Sequence, residues 1–318
     1  MSSTLNKARE AKKDEFYTQS SDIENEIKHY RSHFKGKKVF CNCDDPKESN
    51  FFQFFAQNFE FLGLEKLTTT HYRDDKPTYK LVVDRQLDVN KDGKINADDA
   101  VKYTLSQNGD FRSEESIAIL EEADIVVTNP PFSLFREYMS QLIEYKKKFL
   151  IIGNNNAIAL IDTFKLIREG QIWLGTSSNK TMEYRVPEHY NAQRVDDSGR
   201  KYVKVPAISW FTNMDHKKRS ENIILYKEYN KEDYPTYDNY DAIEVSKVAD
   251  IPVDYNGIMG VPIAFLGKHN PHQFEIRGLI AGAGYNADKV RIPLLNGRNG
   301  MAIVDGKPKY NRILIKKK

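Results

Sequence analysis

Residues 124–135 read DIVVTNPPFSLF, an apolar run that stops in Asn129, Pro130, Pro131 and Phe132. Proline has no N–H for a sheet ladder, so the strand ends there. The residue types at its tip suit one kind of chemistry. A planar exocyclic amine, such as that of adenine, delocalises its lone pair into the ring and is a poor nucleophile. Two acceptors aimed at its two N–H groups draw the nitrogen towards a tetrahedral shape and free the pair. The Asn129 side-chain oxygen can be one acceptor, and the Pro130 carbonyl, stiffened by Pro131, the second. That is electrostatic preorganisation rather than general-base work. Phe132 offers a flat apolar face, and base–aromatic stacking is worth ~1–3 kcal/mol per base. An ordinary turn also uses Asn-Pro. The apolar strand before it, the aromatic after it and the helix that follows favour the chemical reading.

Such a corner needs a scaffold, and the flanking pattern supplies one. KVFCNC (38–43) reads as a buried strand, preceded by a helical lead from Asp22 to His33. Asn50 to Leu62 reads as a helix, with Phe51, Phe52, Phe55, Phe59 and Leu62 on one core-facing side. LEKLTTTHY (64–72) is a second strand, and SEESIAILEEA (113–123) a helix with Ser113 as its N-cap. Beyond DIVVTN come a helix from Ser133 to Lys147, the strand KFLIIGN (148–154), a helix from Ile161 to Glu169, and IWLG (172–175). PAISWFTN (206–213) closes the run. Alternating strands and helices imply parallel pairing with right-handed crossovers, and continuous apolar strands a sheet covered on both faces. The expected fold class is α/β, with a mostly parallel, doubly wound sheet that binds ligands at the carboxyl ends of its strands. Residues 1–225 are expected to form the catalytic domain, with a polar insertion at about 73–108, and 226–318 a smaller C-terminal module.

Composition excludes little but sharpens some choices. Apolar residues at 40% supply a sizeable core, and a net charge of +3 permits nucleic acid without demanding it. From Pro271 onward there are ten Lys or Arg against Glu275, Asp288 and Asp305, so basic character gathers at that end. It suits a solvated tail or a phosphate-contacting surface equally. Cys41 and Cys43 make neither a disulfide framework nor a zinc spacing, which fits a reducing, cytoplasmic compartment. No apolar run approaches the ~20 residues of a membrane span, and the start shows no secretory core.

The corner resembles motif IV of the amino-methyltransferases that use S-adenosylmethionine; Asn129 at its first position and Phe132 at its fourth resemble the adenine-N6 enzymes. DEFYTQ (14–19) resembles the N-terminal cofactor motif written F-x-T-P, and GDFRS (109–113) the motif whose Asp contacts the cofactor's adenine. With IENE, CNCDDP, SNFF, VPEHY, DIPVDYNG, MGVPI and RILIK, the likeness extends over nearly the whole chain, and it is to the EcoRI-type adenine-specific DNA methyltransferases. The resemblance implies a Rossmann-like class I methyltransferase sheet. It further implies S-adenosyl-L-methionine as cofactor and a monomer of a restriction–modification or related system acting on double-stranded DNA by base flipping. Carried over residue by residue, it implies that Asn129, Pro130 and Phe132 hold the target base, Asn129 also bordering the cofactor. Phe16, Tyr17 and Thr18 would line the methionine end of the cofactor, and Asp110 and Phe111 its adenine.

The chain departs from the general pattern in places. The loop after the first strand, CNCDDPKESN, has no glycine, a feature the EcoRI-type enzymes share. Asn42, Asp44 and Asp45 are its polar candidates for the cofactor's amine or ribose hydroxyls, although the two acids could simply cap the next helix. Gln19 stands where many relatives have Pro. No acid ends LEKLTTTHY, where nucleotide folds often keep one for ribose; His71 or Tyr72 could substitute, but a lone His is more often structural.

Inside the insertion, Asp88, Asn90, Asp92, Gly93, Asn96 and Asp99 follow a calcium-loop spacing. The strand-like YKLVVDRQL before it, and Asp in place of the bidentate Glu, favour a pendant hairpin turning at Asp92-Gly93, with a structural calcium site as the alternative that stays open; neither takes part in methyl transfer. For DNA contact, Lys217, Lys218 and Arg219 could meet phosphates. Arg277, Arg291, Arg298 and Asn299 could read bases, since Arg and Asn make bidentate contacts to guanine and adenine. Other readings stay open: a glutamine-amide protein methyltransferase, an RNA adenine methyltransferase, or a DNA-binding module that has lost catalysis.

Overall fold

The computed structural model describes residues 16–43, 45–73, 77–281 and 300–318. The chain folds as two compact units, Met1–Asn155 with Gly175–Met214, and Asn156–Leu174 with Asp215–Lys318.

In the first unit the elements run β1 (Tyr17–Thr18), α1 (Ser20–Ile27), α2 (Arg31–Phe34), β2 (Lys38–Cys41), α3 (Asn50–Gln57), α4 (Phe59–Leu62), β3 (Lys66–Thr70), β4 (Tyr79–Asp84) and β5 (Val101–Thr104). They continue with α5 (Glu114–Glu122), β6 (Ile125–Thr128), α6 (Phe135–Glu144), β7 (Lys148–Asn154), β8 (Lys180–Val186) and β9 (Lys201–Thr212). The strands lie in the order β1-β8-β9-β7-β6-β2-β3-β4-β5. The central four, β7, β6, β2 and β3, are parallel. Their continuous burial accounts for their unbroken apolar sequences. Both wings are antiparallel.

The order of the central strands fixes where a site can form. From β2 the chain crosses to β3 on one side, then returns to place β6 on the other. Right-handed crossovers then put the connecting helices on opposite faces, and a crevice opens between the carboxyl ends of β2 and β6. The Phe51, Phe52, Phe55 stripe of α3 is core, and Ser49 caps that helix, its hydroxyl accepting from the Phe51 N–H at 3.2 Å. Ser113 caps α5 as expected, accepting from the Ser116 N–H at 3.3 Å.

The insertion differs from the expected pendant hairpin. β4 pairs along β3 and β5 pairs along β4, so the segment extends the edge of the main sheet. Val82 and Val83 bury there, which a free-standing hairpin could not do. In the loop between β4 and β5 the acids serve the backbone. Asp99 is buried and accepts from the N–H groups of Val89 and Asn96 at 2.9 Å each; Asp88 accepts from Gly93 at 2.9 Å. Among the described residues no group of three or more His, Cys, Asp or Glu is placed to hold a metal ion.

PAISWFTN is the second half of the longer strand β9. A register shift between Val205 and Ile208, at Pro206, bends it so that one half runs along β8 and the other along β7.

The second unit carries a sheet in the order Ile243–Glu244, Met259–Pro262, Arg312–Lys317, Phe274–Ile280. A buried ion pair pins it: Arg312 Nη2 lies 2.6 Å from Glu244 Oε1, and the Tyr237 hydroxyl also donates to Glu244. This unit includes the helix Ile161–Arg168, whose buried face meets the strand Phe274–Ile280. It also includes 215–225, because Ser220 and Ile223 are hydrogen-bonded to Asn270 and Gln273. No helix among the described residues is long and apolar enough to cross a membrane.

Candidate active site

Asn129 follows directly on β6, at the crevice the topology creates, and is buried at 6% exposure. Its side-chain Nδ2 donates to the Phe16 carbonyl at 2.7 Å. A carbonyl can only accept, so this contact sets which end of the amide is nitrogen. The oxygen, Oδ1, is buried and has no hydrogen-bond partner among the described residues. Buried acceptors are rarely left unpaired in a folded chain, and one held in a fixed orientation is a place for a ligand's N–H. The neighbouring Thr128 hydroxyl donates to the Asn42 carbonyl, tying the end of β6 to the end of β2.

An aromatic wall stands beside it. Phe16 packs against Phe132 (centroids 5.7 Å, planes at 30°), Tyr184 (5.6 Å) and Tyr190 (5.9 Å). Phe132 also meets Tyr184 edge-on at 6.3 Å. The FYT segment is held in place as β1 on β8, with Tyr17 opposite Arg185 and Thr18 opposite Tyr184. The Thr18 carbonyl accepts from Asn50 Nδ2 at 2.6 Å, and its buried hydroxyl oxygen has no partner among the described residues. Tyr184 carried no signal in the sequence beyond its aromatic type, and Tyr190 only its place at the end of VPEHY.

On the other side of the crevice the Asn42 side-chain oxygen accepts from the Tyr138 hydroxyl. Burial pushes that hydroxyl well above its usual pKa, so it stays a donor. Tyr138 in turn packs edge-on against Phe111 at 5.1 Å. The turn that glycine would ordinarily make after β2 is made by Cys43, at φ +72°. Asp44 lies outside the described residues. Asp110 sits beside Phe111 and is forked by Arg112, with contacts of 2.8 Å and 2.6 Å. That hydrogen bond holds the Asp110 carboxyl below its ordinary range.

Asp45 finds a partner at the end of β3. His71 Nε2 lies 3.2 Å from Asp45 Oδ2, and the Tyr79 hydroxyl donates to Oδ1 at 3.1 Å. Burial raises the Asp45 carboxyl, but His71, the Lys47 N–H and Tyr79 outweigh it and hold it at about 2. Gly109 brings the GDF segment over the same place: at φ +76°, a Cβ there would meet the His71 carbonyl at 2.2 Å. The structure thus joins Asn129 to Phe16 and Phe16 to Phe132 by direct contact, and links Asn42 to the end of β6 through Thr128 and to Phe111 through Tyr138. Tyr17, Thr18 and Pro130 adjoin these residues in the chain, and Asp45 and Asp110 are linked through His71 and Gly109.

Comparison with known proteins decides the family. The family described as adenine-specific methyltransferase EcoRI matches residues 4–318. The type II methyltransferase M.EcoRI of Escherichia coli is 45% identical over 99% of this chain and 96% of its own length. The type II methyltransferase M.MpnI of Mycoplasma pneumoniae is 39% identical over 99% of this chain and 98% of its own.

The chain belongs to the EcoRI adenine-specific methyltransferase family. It is an adenine-specific DNA methyltransferase of the type II kind. A methyltransferase needs a methyl donor, and the crevice between β2 and β6 fits one: Asn129 Oδ1, buried at the end of β6, has no hydrogen-bond partner among the described residues. The basic residues expected to meet DNA all belong to the second unit or lie outside the described residues. Lys217 is exposed on a short 3-10 turn, Lys217–Ser220, with Lys218 half-buried on the same turn. Arg219 stacks on Trp173 at 3.7 Å and pairs with Asp215 at 3.1 Å. Arg277 pairs with Glu275 at 2.9 Å. Arg291, Arg298 and Asn299 lie outside the described residues.

Proposed function

We propose that this DNA methyltransferase carries the methyl group of S-adenosylmethionine to N6 of an adenine swung out of a specific duplex site. One observation carries the reading. Asn129 is clamped through Nδ2 to the backbone of the FYT segment, so its buried, unpartnered oxygen points one way only. When bound, the donor supplies an electrophilic sulfonium methyl. The protein supplies the rest. Asn129 Oδ1 and the Pro130 carbonyl accept the two N6 hydrogens and localise the nitrogen lone pair; Phe132 faces the purine. Transfer would form the N–C bond as the S–CH3 bond breaks, the sulfur leaving as a neutral thioether, and the amine's surplus proton would pass to solvent. Extrusion of the base costs a few kcal/mol. Phe16, Tyr17 and Thr18 border the methionine end of the donor, while Asn42, Asp44 and Asp45 serve its amine or ribose. Asp110, oriented by Arg112, and Phe111 serve its adenine.

The remaining assignments belong to the same reading. The C-terminal module, 226–318 with Lys217, Lys218 and Arg219 before it, recognises the site. Arg277, Arg291, Arg298 and Asn299 supply candidate base contacts. Arg219 and Arg277 must exchange their carboxylate partners for DNA. The enzyme acts as a cytoplasmic monomer. Expression in a host lacking adenine methylation, followed by sequencing for N6-methyladenine, tests this. A single methylated motif is expected. Unmodified DNA alongside methylated RNA or protein glutamine would overturn it.

A further inference from the structure

Nucleotide folds commonly hold a ribose hydroxyl with an acid at the end of the strand next to the first. Here that strand, β3, ends in Thr70-His71 with no acid. The structure shows a carboxylate delivered to the same place from the preceding loop. Asp45 reaches across from beyond β2 and places Oδ2 3.2 Å from His71 Nε2. The opposite ring nitrogen, Nδ1, lies 2.9 Å from the Thr78 hydroxyl. Thr78 can donate to Nδ1, which leaves Nε2–H to donate to Asp45.

We propose that Asp45 binds a ribose hydroxyl of the methyl donor and that His71 is the positioning residue that aims it. An ionised carboxylate offers about four lone-pair sites. Three are occupied, by His71 Nε2 and, on Oδ1, by the Lys47 N–H at 3.0 Å and the Tyr79 hydroxyl at 3.1 Å. The open site is on Oδ2, and the side chain is 26% exposed, so a hydroxyl can reach it. The partners are themselves fixed. The His71 carbonyl lies under Gly109, the His71 and Tyr79 rings sit 5.2 Å apart, and Gly109 leads into Asp110 and Phe111, assigned to the donor's purine. Ribose and purine would therefore be read from adjoining positions on one frame. The acid missing from the end of β3 is replaced in space though not in sequence.

The inference rests on the donor being S-adenosylmethionine, and its test separates the two. Calorimetry would compare S-adenosylhomocysteine with its 2′-deoxy and 3′-deoxy analogues on wild type, Asp45→Asn, His71→Ala and His71→Gln. A hydrogen bond to a charged group corresponds to about ten- to hundredfold in affinity. Wild type should lose that factor for one deoxy analogue. Asp45→Asn should bind the parent compound weakly and no longer distinguish it from that analogue. His71→Ala should blunt the discrimination, and His71→Gln, which keeps a donor, should restore part of it. Wild type that binds all three compounds equally would overturn the inference without any variant, as would Asp45→Asn with undiminished discrimination. Wild type that binds neither S-adenosylmethionine nor S-adenosylhomocysteine would instead overturn the choice of donor.

Discussion

Replacing Asn129 separates two things its amide does. In Asn129→Ala the Phe16 carbonyl loses its 2.7 Å donor, a change of about 1 kcal/mol in stability for one ordinary hydrogen bond. The larger effect is on transfer. Removing a single preorganised partner of the transition state typically lowers kcat by ~10²–10³, or about 3–4 kcal/mol. Asn129→Ala should therefore methylate a duplex at least a hundredfold more slowly in a single turnover at saturating donor. DNA affinity, measured by gel shift, should stay within a few-fold, because the residue is buried at 6% exposure and acts on one atom of the base. Asn129→Asp sharpens the argument. It keeps an acceptor for the amine but turns an oxygen towards the Phe16 carbonyl, where two acceptors would face each other with no hydrogen between. The FYT segment should shift, donor affinity should fall, and transfer should slow by about tenfold or more. Wild-type transfer by Asn129→Asp would refute the clamp. Parallel losses of DNA binding and transfer in Asn129→Ala would refute the proposed division of roles.

Gly109→Ala combines a left-handed backbone at φ +76° with a Cβ 2.2 Å from the His71 carbonyl. It should cost about 1–3 kcal/mol in urea unfolding and weaken donor binding. Asp45 is held at about 2 in the folded chain, below its ordinary ~3.9, so its contribution to stability is present above about pH 4 and fades as pH falls towards 2. The gap in urea midpoint between wild type and Asp45→Asn should close over that window; a constant gap would count against the hydrogen bonds that hold the Asp45 carboxylate. In the second unit, Arg312→Met strands the buried Glu244 carboxylate and should destabilise by about 3–5 kcal/mol, whereas adding Glu244→Gln should recover much of it. Additive losses in that cycle would mean the two side chains do not act as a pair.

Much of this site was legible because its key residues announce their backbone roles. Two prolines after IVVT must end a strand, and an amide at that point has few structural duties, so Asn129 could be placed and given a task from sequence alone. The parallel centre followed from continuous apolar strands separated by helices. What could not be read depended on long-range geometry. The segment 73–108 is rich in turn residues, yet the pairing of Lys66–Thr70 with Tyr79–Asp84 makes it part of the main sheet. That choice is made by an open sheet edge, which no local pattern encodes. His71 is the sharper case. Alone at a strand end it has no more claim to function than any histidine, and only the fold reveals that Asp45, a loop and a helix-turn-helix away in sequence, completes it. The absence of an acid on β3 and the surplus acid after β2 look like two separate departures from a nucleotide-binding pattern. In space they are one arrangement, and the chain reaches it through a left-handed turn at Cys43. A Cys43→Gly change should therefore preserve the loop's path, while a β-branched residue there, which resists φ +72°, should pull Asp45 from His71 and weaken donor binding with transfer at saturating donor little changed.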